Sequence, residues 1–347
     1  MSPDARQFAE RRRGPRVPPR RVYSSAGRRR RARLKALVLM ALASIGALFL
    51  VLALLRVSAN LPQPIARETP AATEREKPVR LAWPREGQAA VAIEGLGTFI
   101  GPGGSAPVPI ASVAKVMTAY LVLRDHPIEP GEEGFTMQIT PADVEDFQQR
   151  LESNQSVVPV EVGEVLSERQ ALEALLLPSA NNVAALLAVH MAGSVEAFTA
   201  EMNAAAAELG MTDTHYTDPS GLEETTVSTA ADQLRLGRAA MADPTFAEIV
   251  AMPSTVLPVA GEVANFNELV GHDGFVGIKT GSHAAAGGCL LFARRVQIDG
   301  RTVTVLGAVL GQGDGDLIPA ALASAQALAN SAVDAARERG VTSGAGR

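Results

Sequence analysis

An apolar segment of twenty residues without a charge, ALVLMALASIGALFLVLALL, occupies positions 36–55 and ends at Arg56. At about 1.5 Å per residue, a helix of this length spans about 30 Å, the thickness of a bilayer's hydrocarbon core. The segment therefore predicts one transmembrane helix over 36–56. A cleaved secretory signal is the alternative, because Val57-Ser58-Ala59 fits a small-residue cleavage site. Either interpretation places the rest of the chain outside the cytoplasm.

Charge is distributed unevenly on the two sides of this segment. Residues 1–35 contain thirteen Lys and Arg against two acids, although the whole chain has a formal net charge of −5. Such an excess of arginine places the N-terminal side in the cytoplasm. A basic arm can also bind nucleic acid, but the apolar segment that follows it favours a membrane partner. We expect a single-pass membrane protein that does not bind nucleic acid.

The remaining chain divides by composition into three parts. Residues 57–85 are rich in Pro, Ala, Glu and Arg without an apolar period, which predicts a disordered linker. We assign 86–337 to one folded domain and 338–347 to a flexible tail. The single cysteine, Cys289, cannot form an internal disulfide. The five histidines lack metal-ligand spacing, so neither a metal nor another cofactor is expected.

Strand patterns occur near both ends of the folded domain, with helical patterns between them. The predicted strands are 89–93, 97–101, 274–280, 288–295 and 301–311, the last two joined by the connection VQIDG. The predicted helices are 112–123, 141–152, 166–176, 180–192, 194–209, 228–241, 244–251 and 317–337. This order predicts a mixed α/β (α+β) domain, with one antiparallel sheet built from both ends and a large helical insert.

Lysine is rare in this chain, with four lysines against 28 arginines. Lys35 flanks the apolar segment and Lys77 lies in the predicted linker, so the folded domain keeps only Lys115 and Lys279. Arginine does not lose its proton in a protein, whereas a desolvated lysine can become a neutral base. The two retained lysines are therefore candidates for chemistry.

Lys115 follows Ser112 by three residues, in Ser-Val-Ala-Lys. This spacing brings both side chains to one face of a helix, where a neutral amine can accept the proton of a serine nucleophile. The alternative is a capping serine followed by a surface lysine.

Two further motifs follow in the chain. Lys279-Thr280-Gly281 combines a cation, a hydroxyl and a residue that permits close backbone approach, which suits capture of a carboxylate. A strand that runs into a turn is the alternative there. Ser179-Ala180-Asn181 lies between two predicted helices, and Ser179 has the alternative role of capping the second one.

The motifs S-x-x-K, S-x-N and K-T-G, in this order, resemble those of penicillin-binding proteins and serine β-lactamases. The segments around them are similar to low-molecular-mass D-alanyl-D-alanine carboxypeptidases: PIASVAKVMTAYLVL, LLLPSANNVAALLA, THYTDPSGL followed by STAADQLRLGRAAM, and GFVGIKTGSHAAAGGCLLFA. The resemblance covers roughly residues 86–335 and implies a β-lactamase/transpeptidase-like fold.

The resemblance also implies roles in acyl transfer. Ser112 would be the acylated nucleophile, Lys115 its general base and Ser179 the relay of a proton to the leaving D-alanine. The backbone N–H groups of Ser112 and Ser282 would form the oxyanion hole. The reaction would release D-alanine from a peptidoglycan stem peptide ending in D-Ala-D-Ala, and β-lactams would inhibit it covalently.

Substrate binding is implied at the remaining motif positions. Asn181 would bind the substrate's amide, and Lys279 and Thr280 would hold its terminal carboxylate beside Gly281 and Ser282. A serine β-lactamase, an endopeptidase or transpeptidase, and a non-catalytic wall-binding or sensor protein are the alternatives. The implied setting is a bacterial cell membrane, with the catalytic domain on its outer side.

Overall fold

The computed structural model describes residues 78–103, 105–313 and 315–340, together with Met40. Apart from Met40, the predicted arm over 1–35, the predicted transmembrane helix over 36–56 and the linker as far as residue 77 lie outside the described residues. The same is true of the predicted tail from 341 onward.

Eleven strands and eight α-helices are present in the described residues. The strands are β1 (Gln88–Ile93), β2 (Gly97–Ile100), β3 (Val108–Pro109), β4 (Thr136–Gln138), β5 (Val165–Ser167), β6 (Val227–Ser228), β7 (Ser254–Leu257), β8 (Gly261–Ala264), β9 (Phe275–His283), β10 (Gly287–Ile298) and β11 (Arg301–Gln312). The helices are α1 (Lys115–Asp125), α2 (Pro141–Glu152), α3 (Glu168–Leu176), α4 (Asn181–Ala192), α5 (Val195–Glu208), α6 (Ala230–Ala240), α7 (Pro244–Val250) and α8 (Leu317–Arg339).

The central sheet has five strands in the order β2-β1-β11-β10-β9. All four pairings are antiparallel, and β1 pairs with β11 from the far end of the chain, with Ala90 opposite Ala308. The predicted antiparallel sheet built from both ends of the domain is thus confirmed. β9, which carries Lys279, lies at one edge of this sheet.

Both faces of the sheet are covered, which explains the continuous apolar runs of its strands. In β1, Ala90 and Ala92 point to the core shared with the helical insert, whereas Val91 and Ile93 point to the core under α8. Side chains alternate between the two faces of a strand, so a strand buried on both faces is apolar throughout. On α8, small residues permit close packing against the sheet: Ala321, Ala325, Ala329, Ala332 and Ala336.

Helix boundaries agree with the sequence prediction to within a few residues, except around Ser112. There the chain forms a 3₁₀ turn over Ala111–Ala114, and α1 begins only at Lys115. The connection between β10 and β11 is also tighter than predicted. It is the pair Asp299-Gly300, both with positive φ, because two-residue hairpin turns of this kind match the twist of the flanking strands.

The predicted linker extended too far toward the domain. Residues 78–85 are described, and Leu81 and Trp83 pack against the core under α8. The backbone N–H of Ala82 donates to Ser331 Oγ on α8 at 2.8 Å. The compact unit therefore begins at Pro78 rather than at residue 86.

Within the described part of the chain, no single helix is long and apolar enough to cross a membrane. One pair, α4 with α5, meets the length and composition requirement together, but the two helices are bent by 84°.

Candidate active site

Ser112 lies in the 3₁₀ turn that leads into α1, and its neighbours fix the turn tightly. Ala111, just before it, has φ of 47°, a left-handed conformation that costs free energy for a residue with a side chain. Gly221 packs so closely that a Cβ there would overlap the Ala111 carbonyl. On the other side, a Cβ on Gly281 would come within 2.8 Å of the Ser112 backbone nitrogen. The serine is thus held between β9 and the loop that contains Gly221.

Lys115 is fully buried and its Nζ contacts three oxygen atoms. These are Ser112 Oγ at 2.8 Å, Asn181 Oδ1 at 2.7 Å and the Ser220 carbonyl at 2.9 Å. Burial lowers the pKa of Lys115 well below its ordinary value, the charge of Lys279 lowers it further, and Asp218 opposes both. The site therefore favours the neutral amine.

The three contacts fix the direction of the amine's lone pair. A neutral amine has two N–H donors and one lone pair, and an amide oxygen and a backbone carbonyl can only accept. When the two N–H groups point to Asn181 Oδ1 and the Ser220 carbonyl, the lone pair points to Ser112 Oγ. The hydroxyl of Ser112 can then donate its proton to Lys115.

Ser179 lies in the turn between α3 and α4 with φ of 66°. Its Oγ is buried and has no hydrogen-bond partner among the described residues. The capping residue of α4 is Ala180, without a side-chain hydrogen bond, so the alternative role of Ser179 as a helix cap is not present. A buried hydroxyl without a hydrogen bond costs free energy of folding, so Ser179 is a candidate to bond with a ligand.

Asn181 is the first residue of α4 and connects Lys115 with a second polar chain. Its Oδ1 accepts from Lys115, and its Nδ2 donates to Gln155 Oε1 at 3.0 Å. Gln155 Oε1 also accepts from Arg150 Nη1 at 3.3 Å. Besides the predicted contact with a substrate amide, Asn181 thus orients the lysine, a role that the sequence alone did not indicate.

Lys279 and Thr280 are buried on the edge strand β9, whereas Ser282 is exposed. Burial lowers the pKa of Lys279 to about 7. None of the hydrogen bonds or ion pairs within residues 78–103, 105–313 and 315–340 involves its Nζ, so the site offers an uncompensated cation. Gly281, two residues after Lys279 on β9, lies against the Ser112 turn, which places Lys279 at the same site as Lys115.

The loop between α5 and β6 completes the cluster around one buried carboxylate, Asp218. Asp218 Oδ2 accepts from the backbone N–H and the hydroxyl of Ser220, at 3.0 and 2.6 Å, and Oδ1 accepts from Thr226 Oγ1 at 2.7 Å. Thr118 of α1 donates to the Pro219 carbonyl at 2.7 Å. These bonds hold the Ser220 carbonyl against Lys115. The sequence signal for this loop, Asp-Pro-Ser-Gly, indicates only a turn.

Two histidines lie outside this cluster. His190 stacks on Phe135 with ring centroids 4.4 Å apart, which makes it a packing residue. His283 Nδ1 accepts from the Ala286 N–H at 3.2 Å, and its buried Nε2 has no partner within the described residues. In that same part of the chain, no group of three potential ligands is arranged to hold a metal ion.

A serine hydroxyl paired with a buried lysine amine, with an S-x-N turn and a K-T-G strand at the same site, defines a serine acyl-transfer enzyme. The sequence profile of the D-alanyl-D-alanine carboxypeptidase family, peptidase S11, matches residues 104–311. The chain belongs to this family.

Two curated relatives match part of this chain in sequence. D-alanyl-D-alanine carboxypeptidase DacB2 of Mycobacterium tuberculosis is 40% identical over 185 residues, which cover 51% of this chain and 59% of the relative. A D-alanyl-D-alanine endopeptidase of Escherichia coli is 32% identical over 209 residues, or 57% of this chain and 62% of the relative. The matches thus span about three-fifths of the length of these relatives.

Solved structures agree with this assignment. A mutant of the Streptomyces K15 DD-transpeptidase superposes with a TM-score of 0.62 at 27% identity, over 74% of this chain and all of that one. A D-alanyl-D-alanine carboxypeptidase of Mycobacterium tuberculosis gives a TM-score of 0.59 at 31% identity, over 75% of this chain and 95% of that one. The mixed α/β fold with its antiparallel sheet is therefore shared with DD-peptidases.

Proposed function

We propose that the protein is a serine D-Ala-D-Ala carboxypeptidase that trims terminal D-alanine from peptidoglycan stem peptides. The observation that carries the proposal is the contact of Lys115 Nζ with Ser112 Oγ at 2.8 Å, with both remaining positions of the amine held by oxygen acceptors. Family membership and relatives named as D-alanyl-D-alanine carboxypeptidases support the same activity.

In the proposed acylation step, Lys115 takes the proton of Ser112 as Oγ attacks the carbonyl carbon of the penultimate D-alanine. The backbone N–H groups of Ser112 and Ser282 stabilise the oxyanion that forms. The C–N bond then breaks, and the leaving D-alanine nitrogen receives a proton through Ser179. The unpaired hydroxyl of Ser179 supports this relay, because a bound substrate supplies the partner that it lacks.

Lys279 and Thr280 bind the carboxylate of the terminal D-alanine. A buried cation without an anionic partner supports a substrate that brings its own negative charge. Asn181 binds the acyl-side amide while it holds Lys115. Water then hydrolyses the acyl-enzyme and restores Ser112.

A D-Ala-D-Ala endopeptidase is the second candidate, because one relative has that name. The two activities differ in the leaving group, which is free D-alanine in the carboxypeptidase reaction and a residue of a second stem peptide in the endopeptidase reaction. The family that matches residues 104–311 is described as D-alanyl-D-alanine carboxypeptidase, which favours the carboxypeptidase.

Attachment to the cell membrane through residues 36–56 is part of the same proposal. The length of the apolar segment and the arginine excess before it support a cytoplasmic N-terminus and a catalytic domain outside the membrane. A wall-acting enzyme requires that placement.

The decisive test follows intact mass after addition of excess benzylpenicillin, with parallel assay of D-alanine release from an N-acylated D-Ala-D-Ala peptide. We expect a persistent adduct of one drug molecule that is absent in Ser112→Ala. Rapid drug hydrolysis without an adduct would indicate a β-lactamase, and no reaction with either compound would indicate a non-catalytic binder. Cleavage of cross-linked peptides but not of free D-Ala-D-Ala ends would indicate the endopeptidase.

A further inference from the structure

A cavity of about 470 Å³ lies on the face of the central sheet that carries the helical insert, around the end of α6. α6 packs closely on this face at Gly237, where an added Cβ would lie 3.3 Å from a methyl group of Leu306, and the helix ends at Ala240. β10 and β11 extend beyond that point, so the sheet forms one wall of the cavity and the end of α6 forms another. The proposed catalytic and substrate-binding residues lie outside this wall.

The floor of the cavity is apolar. Ala92, Ala293 and Leu306 come from three neighbouring strands and belong to the core beneath the helical insert. Met241, which follows α6, extends this surface. An aliphatic chain can cover such a floor without displacing a hydrogen bond.

Two arginines border this floor, Arg238 on the last turn of α6 and Arg295 on β10, and both are exposed. Neither side chain has a hydrogen bond or an ion pair to another group within residues 78–103, 105–313 and 315–340. Arg294 is different, because it points to the opposite face of the sheet and donates to Asn330 Oδ1 of α8 at 2.6 Å. The cavity therefore presents two guanidinium groups whose N–H donors are available to a ligand.

Glu94 also borders the cavity, but its carboxylate is bonded to the sheet. Its Oε2 accepts from the backbone N–H of Thr304 at 2.9 Å, and its own N–H donates to the Thr304 carbonyl at 3.0 Å. Glu94 thus extends the pairing of β1 with β11, and within the described chain both arginines stay without a counter-ion. Two such guanidinium groups suit a phosphate group, which accepts their forked hydrogen bonds.

The chain enters the domain at this same end of the sheet. Arg294, next to Arg295 on β10, bonds to Asn330 of α8, and the following residue Ser331 accepts from the N–H of Ala82. The residues before Ala82 lead back in sequence to the apolar segment over 36–55. The proposed membrane attachment thus starts from the end of the domain where the cavity lies. A bilayer surface consists of phosphate groups on apolar chains, and its anionic lipids attract arginine.

We propose that this cavity binds the head group of an anionic phospholipid. The phosphate pairs with Arg238 and Arg295, and the glycerol backbone and first methylene groups of an acyl chain lie on the floor of Ala92, Ala293 and Leu306. The site is separate from the catalytic cluster and holds the domain against the membrane surface. The inference goes beyond the proposed activity and rests only on the proposed membrane attachment.

The test uses the full-length protein in vesicles of phosphatidylcholine that contain a phosphatidylglycerol with a photoreactive diazirine near its head group. After illumination, mass spectrometry of proteolytic peptides locates the cross-links. We expect cross-links on Met241 and Leu306 that are at least about fivefold more frequent than with a photoreactive phosphatidylcholine, because one basic side chain at an anionic surface contributes about this factor. Equal cross-linking by the two lipids, or none at the cavity, would overturn the inference.

Competition distinguishes a lipid from a soluble phosphate ester. Excess unlabelled phosphatidylglycerol is expected to remove the cross-links, whereas the same excess of glycerol 3-phosphate is expected to leave them, since it lacks the apolar part. Complete competition by glycerol 3-phosphate would show that the cavity takes phosphate esters from solution, which would refute a lipid site.

Substitutions assign the contacts. Arg238→Gln and Arg295→Gln are each expected to lower cross-linking at the cavity about fivefold. The matched control is Arg301→Gln, an exposed arginine on β11 outside the cavity wall, which is expected to change nothing. Alternation along β11 places Arg301 on the α8 face of the sheet, with Val303 and Val305. If the control loses as much as the two variants, the cross-links report general surface charge and the assigned site is wrong.

Failure of the proposed attachment has a different signature, because vesicle flotation shows whether the protein is attached at all. Protein that floats without cross-links at the cavity refutes the lipid site alone. Protein that does not float refutes the attachment and the lipid site together. Benzylpenicillin labelling and D-alanine release test the proposed activity separately, because the residues assigned to it lie elsewhere in the domain.

Discussion

At the scale of single residues, the site depends on two buried lysines with different surroundings. Lys115 is bonded to three oxygens, whereas Lys279 has no partner in the described part of the chain. Burial lowers the pKa of both. A base needs the neutral form and a carboxylate-binding group needs the charged form, so the two lysines set opposite requirements for pH.

Lys115→Arg is expected to reduce the rate of acylation by benzylpenicillin by about 10²–10⁴, because arginine keeps its charge and cannot act as a base. The rate is measured by rapid-quench mass spectrometry. Thermal unfolding serves as the control and should show a folded protein. Acylation within about threefold of the wild type would exclude Lys115 as the general base.

The pH profile tests Lys279. Its pKa of about 7 means that the ammonium is charged below pH 7 and neutral above it. The kcat/KM for a peptide with a free carboxylate should therefore fall about tenfold per pH unit on the alkaline side, mainly through KM. In Lys279→Arg this decline should vanish up to pH 9, because arginine stays protonated. An unchanged alkaline limb in that variant would assign the titration to another group.

At the scale of elements, the loop between α5 and β6 packs against one side of the Ser112 turn, and β9 packs against the other side. Gly221 and Gly281 make these approaches possible, because neither has a Cβ. Since Ala111 holds a left-handed conformation between them, the position of the nucleophile depends on both neighbours.

Gly221→Ala is expected to destabilise the protein by about 3 kcal/mol or more, because the new Cβ adds overlap with Ala111 to the cost of a positive φ of 75°. Gly210→Ala is the matched control, with φ of 71° and no atom within 4 Å of the added Cβ. The control should cost about 1–2 kcal/mol. Urea unfolding gives both values. Equal values would show that the loop around Gly221 moves to accommodate the Cβ at no cost, which would contradict the prediction.

Sequence patterns predicted the long elements well and the short ones poorly. β10 and β11 were evident from apolar runs, whereas the two-stranded sheets β4–β5 and β7–β8 have strands of three or four residues, too short for a period to appear. Asp218 was missed for a different reason. Asp218 holds the loop whose Ser220 carbonyl contacts Lys115, 105 positions away in sequence, and local patterns do not report contacts of that range.

At the scale of the whole molecule, the sheet joins residues from both ends of the domain. The segment before β1 packs against the core between the sheet and α8. Trp83 packs against Gly101, where a side chain would collide with the indole ring. Together with the bond from Ala82 to Ser331, this contact ties the entering chain to α8. The segment from Pro78 is therefore structural.

A chain that starts at Glu86 is expected to be less stable than one that starts at Pro78 by about 2 kcal/mol, mainly through loss of the partly buried Trp83. The free energy of unfolding is measured in urea for both chains. Trp83→Ala in the longer chain should reproduce most of the loss, and Arg80→Gln at an exposed position should not. Equal stability of the two chains would restore the boundary predicted from sequence.

The bare ammonium of Lys279 has a consequence for how the protein recognises its ligand. Lys279 is 1% exposed, so folding has already removed most of its contact with water, and an arriving carboxylate meets a largely desolvated partner. The cost of desolvating Lys279 is thus met during folding, before any substrate is present, which is electrostatic preorganisation. Selectivity for a free carboxylate is in this sense a property of the folded core as well as of the contact itself.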